Sequence, residues 1–298
     1  MNRVAVVNQK GGVGKTTTVA NLGAALARRG RRVLLVDLDP QANLTVHMGL
    51  DPNALERTVY HVLTGDATIS ETVRPAAEDS LHVVPSQIDL ASAELELVSM
   101  MRREGLLWDA LSEHFADGNE YDDLLIDCPP SMGLLCINGL CSAEHVLIPL
   151  QAEFFALQGV AKILEVVDLV AKRLQPGLRL SGVIPCRVNE RTKLAQEVLG
   201  EIQDFFGDRV WSTRIRRNVR LAEAPSHGTS IFAYDPESNG AADFEALAGE
   251  YMERFCREPE PGPEDALDQA ESNGGVSAVE PSEVEPSAPL TGAPQPQS

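Results

Sequence analysis

The chain has 298 residues, 43% of them hydrophobic, and carries a net charge of −19. That length suits one large α/β domain or two small ones. No run approaches the ~20 apolar residues of a membrane span and no charged-then-apolar leader opens the chain, so a cytoplasmic setting is expected. The five cysteines never fall at C-x-x-C spacing, which leaves out the usual zinc and iron–sulfur patterns and suits reduced thiols.

Taken in chain order, Val4–Val7 is a short apolar run that predicts a buried strand. It runs into NQKGGVGKTT at residues 8–17. This is nearly the phosphate-loop pattern G-x-x-x-x-G-K-[ST], except that Gln9 stands at the first glycine and Lys10 follows it. Gly11, Gly12, Val13 and Gly14 let backbone N–H groups encircle phosphates, and a helix N-terminus behind them adds a favourable dipole. Lys15 is expected on the β- and γ-phosphates, the Thr16 hydroxyl on Mg²⁺, and Thr17 near the α-phosphate. The helix follows, with Val19, Leu22 and Leu26 at helical spacing before Gly30, a plausible C-cap.

The next strand, Val33–Val36, opens LLVDLDPQ and places Asp37 and Asp39 just beyond its end. Leu81–Val84 and Leu124–Ile126 are further strands, the latter leading to Asp127 in LLIDCPPS. Ligands bind beyond the carboxyl ends of strands in open parallel sheets, so all three acids are candidates to face the loop. Asp127 fits the Walker B role of holding Mg²⁺ through water, and Asp39 is a candidate for orienting the attacking water. Strands Val146–Ile148 and Gly182–Ile184 follow, with helices expected over Phe155–Leu174, Leu194–Phe206 and 241–256. Alternating strands and helices imply an α/β fold with a doubly wound, mainly parallel sheet and helices on both faces.

Two domains of behaviour are expected: a folded body over 1–256 and an acidic Pro/Glu/Ser-rich tail over 257–298 that cannot bury enough apolar surface to order itself. Residues 258–298 hold nine acids and no lysine or arginine, leaving −10 on the remainder. Acids are many and lysines few, five against 20 arginines, which suggests a halophilic cytoplasm. High salt weakens phosphate contacts, so nucleic-acid binding would need a concentrated basic patch. Residues 187–220 supply one, including Arg187, Arg191, Arg214, Arg216, Arg217 and Arg220, with few aromatics; that favours phosphate contact over base stacking.

Together, KGGVGKTT, VDLDPQAN, DCPPS and RNVRLAEAPSHG resemble the ParA/Soj partition ATPases of the deviant Walker A, ParA/MinD class. The resemblance covers roughly residues 2–256. It implies a P-loop NTPase that binds ATP and Mg²⁺ and forms an ATP-bound homodimer. In that dimer the lysine at position 10 would reach the partner's nucleotide, a role that accounts for a second cation five residues before Lys15. It also implies Asp39 in hydrolysis, Asp37 near the Mg²⁺ shell and Asp127 as Walker B. Non-specific double-stranded DNA would be bound through Arg217 and Arg220, then Arg191 and Arg216, and a ParB-like centromere-binding protein would stimulate hydrolysis, in chromosome or plasmid segregation on the nucleoid. One departure stands out: the family usually reads I-P-R-N where this chain has Ile215-Arg216-Arg217-Asn218.

Other readings are weaker on the residues. A MinD-like membrane-surface protein calls for a basic amphipathic end, and this sequence ends acidic. No segment before the first strand would hold an operator-reading helix-turn-helix. An ATP switch that scaffolds another cargo would carry the same nucleotide residues.

Overall fold

In a computed structural model of the chain, residues 1–116, 118, 121–153, 157, 159–189 and 192–256 are described. Arg191 and the acidic tail lie outside the described residues, as do three of the first four positions of the helix expected from Phe155.

Among the described residues eight strands form one sheet: β1 (Asn2–Val6), β2 (Val33–Asp37), β3 (Arg74–Pro75), β4 (Leu81–Val84), β5 (Asp123–Asp127), β6 (His145–Gln151), β7 (Arg179–Val188) and β8 (Ile215–Arg216). The order is β3-β4-β2-β5-β1-β6-β7-β8. Among the described residues the β3–β4 edge pair is antiparallel and the other pairs are parallel. All six strands expected from apolar runs are present. The additions, β3 and β8, are two-residue edge strands without an apolar run to announce them.

Among the described residues twelve α-helices accompany the sheet: α1 (Lys15–Arg28), α2 (Asn43–His47), α3 (Val59–Thr64), α4 (Ile69–Thr72), α5 (Leu90–Leu97), α6 (Leu106–Ala116), α7 (Leu134–Cys141), α8 (Val160–Arg173), α9 (Lys193–Phe206), α10 (Val219–Glu223), α11 (Ile231–Tyr234) and α12 (Asn239–Phe255). Side chains alternate across each strand, and this alternation builds two cores. Ala5, Val7, Leu34, Val36, Leu124 and Ile126 face one core with residues of α3 and α5–α9. Val4, Val6, Val33, Leu35 and Leu125 face the other with α1, α11 and α12. Strands buried on both faces explain why each read as a continuous apolar run rather than an alternating one.

Caps mark several ends. Thr192 accepts from the Ala195 N–H to start α9, and Ser238 accepts from Ala241 to start α12. Gly182 in β7 is required by packing: a Cβ there would lie 1.9 Å from the indole nitrogen of buried Trp211.

Candidate nucleotide site

The end of β1 lies between β5 and β6, and the chain there turns directly into α1. Asn8 pins the turn: its Nδ2 donates to the Pro149 carbonyl at 2.7 Å, and its Oδ1 accepts from the Lys10 N–H at 3.0 Å. Gly12 and Gly14 hold φ of +73° and +106°, a left-handed backbone that glycine adopts at least cost. Gly14 is the N-cap of α1, so the helix begins at Lys15. The first turn of α1 carries no acid. Its free N–H groups and positive dipole end therefore face the loop without a competing carboxylate.

A cavity of about 880 Å³ opens over this loop. Gly11 through Thr17 line it, with Asp39, Pro130, Arg187 and Arg216–Asn218 among its other walls. Lys15 is buried, and its Nζ donates to the Lys10 carbonyl at 3.4 Å across the loop. Lys10 points away. Its Nζ pairs with Glu153, and both side chains are about half exposed.

The three acids sit beside this loop at different depths. Register pairs Asp37 with Asp127 at the ends of β2 and β5, and Val6 of β1 with Asp127. Asp127 accepts from the Thr16 hydroxyl at 2.6 Å through one oxygen, while its Oδ1 is buried with no hydrogen-bond partner. Both oxygens of Asp37 are engaged by the chain that follows: one accepts from the Asp39 N–H at 3.1 Å, the other from the Thr45 N–H and hydroxyl at 2.9 and 2.8 Å. Asp39 lines the cavity, accepts from the Gln41 N–H at 2.9 Å, and its carbonyl is held by the Ser86 hydroxyl at 2.8 Å. Burial pushes the Asp37 carboxyl up to about 7 and lifts Asp127 well above the usual carboxylate range, with the charge of Asp37 adding to the effect on Asp127.

That arrangement fits a divalent cation. Two buried, mutually repelling carboxylates beside a hydroxyl and an orphaned carboxylate oxygen are relieved by a positive ion. Among the described residues no cluster of three or more His, Cys, Asp or Glu side chains could hold a metal. Mg²⁺ does not need one, since it keeps several waters and takes one or two protein ligands alongside substrate phosphates. Thr16 and Asp127 are the residues that would hold it.

The arginines separate. Arg216 turns inward, its guanidinium on Asp243 with Nε at 2.9 Å, and its backbone N–H on the same carboxylate at 2.8 Å. Arg220 pairs with Glu223 at 2.9 Å and Asp235 at 3.3 Å. Arg217 is exposed, and among the described residues its side chain has no hydrogen bond or ion pair. Arg187, included in the basic segment but not ranked among its DNA contacts, donates from Nη1 to the Gly12 carbonyl at 2.9 Å. Sequence gave no signal for that contact, which joins residues 175 apart. Thr45 and Ser86 were likewise not legible: they hold the acid-bearing loop through contacts set by the fold.

Lining the cavity, His47 at the end of α2 is buried with its Nε2 lacking a hydrogen-bond partner among the described residues, and burial lowers its pKa to about 4. Close by, Gly49 and Gly228 meet backbone to backbone, with φ of +82° and +61°. A Cβ on Gly49 would sit 2.9 Å from the Gly228 oxygen, and one on Gly228 would sit 2.7 Å from the Gly49 Cα.

A parallel doubly wound sheet, a glycine loop opening a helix, a buried lysine and a Thr–Asp pair beneath it define a P-loop nucleoside triphosphatase. The chain matches the family model described as an AAA domain over residues 1–180. It is 47% identical over 247 residues to the sporulation initiation inhibitor protein Soj of Bacillus subtilis, covering 83% of this chain and 96% of Soj. It is 43% identical over 251 residues to the chromosome partitioning protein ParA of Myxococcus xanthus, covering 84% and 88%. Among solved structures, cobyrinic acid a,c-diamide synthase from Mycobacterium smegmatis with bound ADP and magnesium superposes with a TM-score of 0.75 at 39% identity, over 86% of this chain and 97% of that one. The chain belongs to the Soj/ParA family of chromosome-partitioning ATPases. Among the described residues no helix is long and apolar enough to cross a membrane.

Proposed function

We propose that this ATPase partitions DNA as a nucleotide-switched homodimer, with ATP and Mg²⁺ bound over residues 10–17. The observation that carries the reading is the Thr16–Asp127 pair beneath the glycine loop, with the second Asp127 oxygen buried and unpartnered. Mg²⁺, when bound, neutralises phosphate charge and the two buried carboxylates at once. Lys15 withdraws from the Lys10 carbonyl onto the β- and γ-phosphates, and the glycine N–H groups with the start of α1 hold the phosphate chain. Asp39, at the wall of the cavity, orients the water that attacks the γ-phosphorus in line as the β–γ bridging oxygen leaves. Asp37 acts one step back, fixing the loop that carries Asp39 through its own hydrogen bonds.

Lys10 reaches the nucleotide of the second subunit, so loss of the γ-phosphate removes contacts that hold the dimer. The dimer binds double-stranded DNA without sequence preference through the basic segment, with Arg217 exposed, Arg220 beside it and Arg191 on the same stretch of chain. Arg216 serves the pocket wall through Asp243 rather than DNA. A ParB-like centromere-binding protein stimulates hydrolysis and releases the dimer, in the cytoplasm and on the nucleoid.

Co-sedimentation with DNA in the presence of Mg-ATP or Mg-ADP tests this. DNA pelleting with ATP and not with ADP is expected, and Lys15→Ala should bind neither nucleotide. Equal pelleting in both nucleotides would overturn the switch, and full ATP affinity in Lys15→Ala would overturn the site.

A further inference from the structure

β7 and β8 are out of step by one residue where they meet the phosphate loop. Cys186 pairs with Ile215 and Val188 pairs with Arg216, so Arg187 is the extra residue of a β-bulge. Its φ is +53°, a left-handed backbone that a residue with a Cβ rarely adopts. Bulges redirect side chains, and outliers of this kind persist only where surrounding structure holds them. Here the redirected guanidinium ends on Gly12, with Nη1 donating to its carbonyl at 2.9 Å.

In a phosphate-binding loop the N–H groups turn inward, which leaves carbonyls facing out and in need of donors. The Gly12 carbonyl shares its peptide unit with the Val13 N–H. A cation hydrogen-bonded to that oxygen polarises the unit and makes the N–H a stronger donor. It also restrains Gly12, whose φ of +73° and missing side chain would otherwise leave it the freest link of the loop. Arg187 lines the cavity as well, so its charge lies on the side where phosphates enter.

We propose that Arg187 is a positioning residue of the nucleotide site, bulged out of β7 to hold the phosphate loop through Gly12 and to strengthen its grip on nucleoside di- and triphosphates. This rests on the reading of the cavity as a nucleotide site. It differs from a DNA role for the same arginine, since Arg187 is engaged by the loop itself. The bulge also carries the result outward: the residue after it, Val188, accepts the Arg217 N–H at 3.1 Å, so the loop and the exposed basic segment are tied to the same irregularity.

Three variants separate the contributions. Arg187→Gly suits the left-handed backbone and removes the guanidinium, Arg187→Met keeps an unbranched stem, and Arg187→Lys keeps a donor. Hydrogen exchange of the nucleotide-free protein should show faster exchange confined to the peptide spanning residues 9–16 in the Gly and Met variants. Titration with Mg-ADP and with the non-hydrolysed analogue Mg-AMPPNP should show both affinities reduced about tenfold or more, the order expected for a charge-assisted hydrogen bond. Arg187→Lys should recover part of both effects, and the melting temperature of Arg187→Gly should not fall. Unchanged loop exchange together with unchanged nucleotide affinity in Arg187→Gly and Arg187→Met overturns the proposal, as does a loss that extends to exchange across the whole sheet. If the wild-type chain takes up no nucleotide, the reading of the cavity fails, and loop exchange in the nucleotide-free protein still decides whether Arg187 holds Gly12.

Discussion

Lys10→Ala separates folding from assembly. Among the described residues the Lys10 ammonium pairs with Glu153, with side-chain exposures of 56% and 51%. An ion pair that open contributes at most about 1 kcal/mol, so the melting temperature should barely move. In a two-fold dimer the contact with the partner's phosphates is made twice. At about 1.5–3 kcal/mol for each charge-assisted hydrogen bond, the pair is worth roughly 3–6 kcal/mol, or about 10²- to 10⁴-fold in the dimer dissociation constant. Light scattering or sedimentation with Mg-ATP, over a concentration range bracketing the wild-type transition, measures this directly. The variant should bind ATP through Lys15 and remain a monomer. A dimer of wild-type affinity in Lys10→Ala would refute the trans contact. The converse change, Glu153→Gln, frees Lys10 from its resting partner and should tighten the dimer modestly.

Three further outcomes follow from other parts of the chain. Arg217→Glu alone should abolish ATP-dependent DNA binding in a filter or pelleting assay while basal ATPase activity persists, and the residual binding of weaker variants should show a shallower salt slope; Arg220→Glu is a poorer probe because it sets a third acid against Glu223 and Asp235. Gly182→Ala drives a methyl into Trp211, which also donates from its indole nitrogen to the Ser181 carbonyl at 3.3 Å, so a loss of about 1–3 kcal/mol in chemical denaturation and a shifted tryptophan emission are expected. His47 and His145 both have pKa values lowered to about 4, chiefly by burial, so the folded chain disfavours their protonation. The stability this represents is present above the unfolded value near 6.5 and is lost as pH falls from there towards 4. Asp37 and Asp127, whose carboxyl pKa values burial raises, act with the opposite sign over the same range, so the histidine contribution is read as a difference: the melting temperature of the wild type relative to His145→Gln should drop between pH 7 and pH 5, and a constant difference would remove the argument.

The sequence made the buried strands legible because each is apolar on both faces and ends at a chemically distinctive residue, as β5 does at Asp127. Its silences have physical causes. β3 and β8 are two residues long and contain Arg74, Pro75 and Arg216, so propensity argues against them until a neighbouring strand supplies the hydrogen bonds. α7, LLCINGLC, is apolar nearly all round because it is buried, and shows no helical stripe. Within the site, local spacing was enough for the Gly12–Lys15–Thr16 constellation. It could not reveal that Arg216 would close on Asp243 or that Arg187 would turn towards Gly12, because both contacts depend on how β7 and β8 stagger at the sheet edge.

The contact of Gly49 with Gly228 acts as a rivet. The stretch running from Asp39 through α2 ends at one glycine, and the stretch running from Arg217 through α10 ends at the other, with no side chain between them to cushion a shift. No side chain stands between the two backbones to absorb a shift of either stretch against the other. A methyl group at either glycine would pry the two stretches apart.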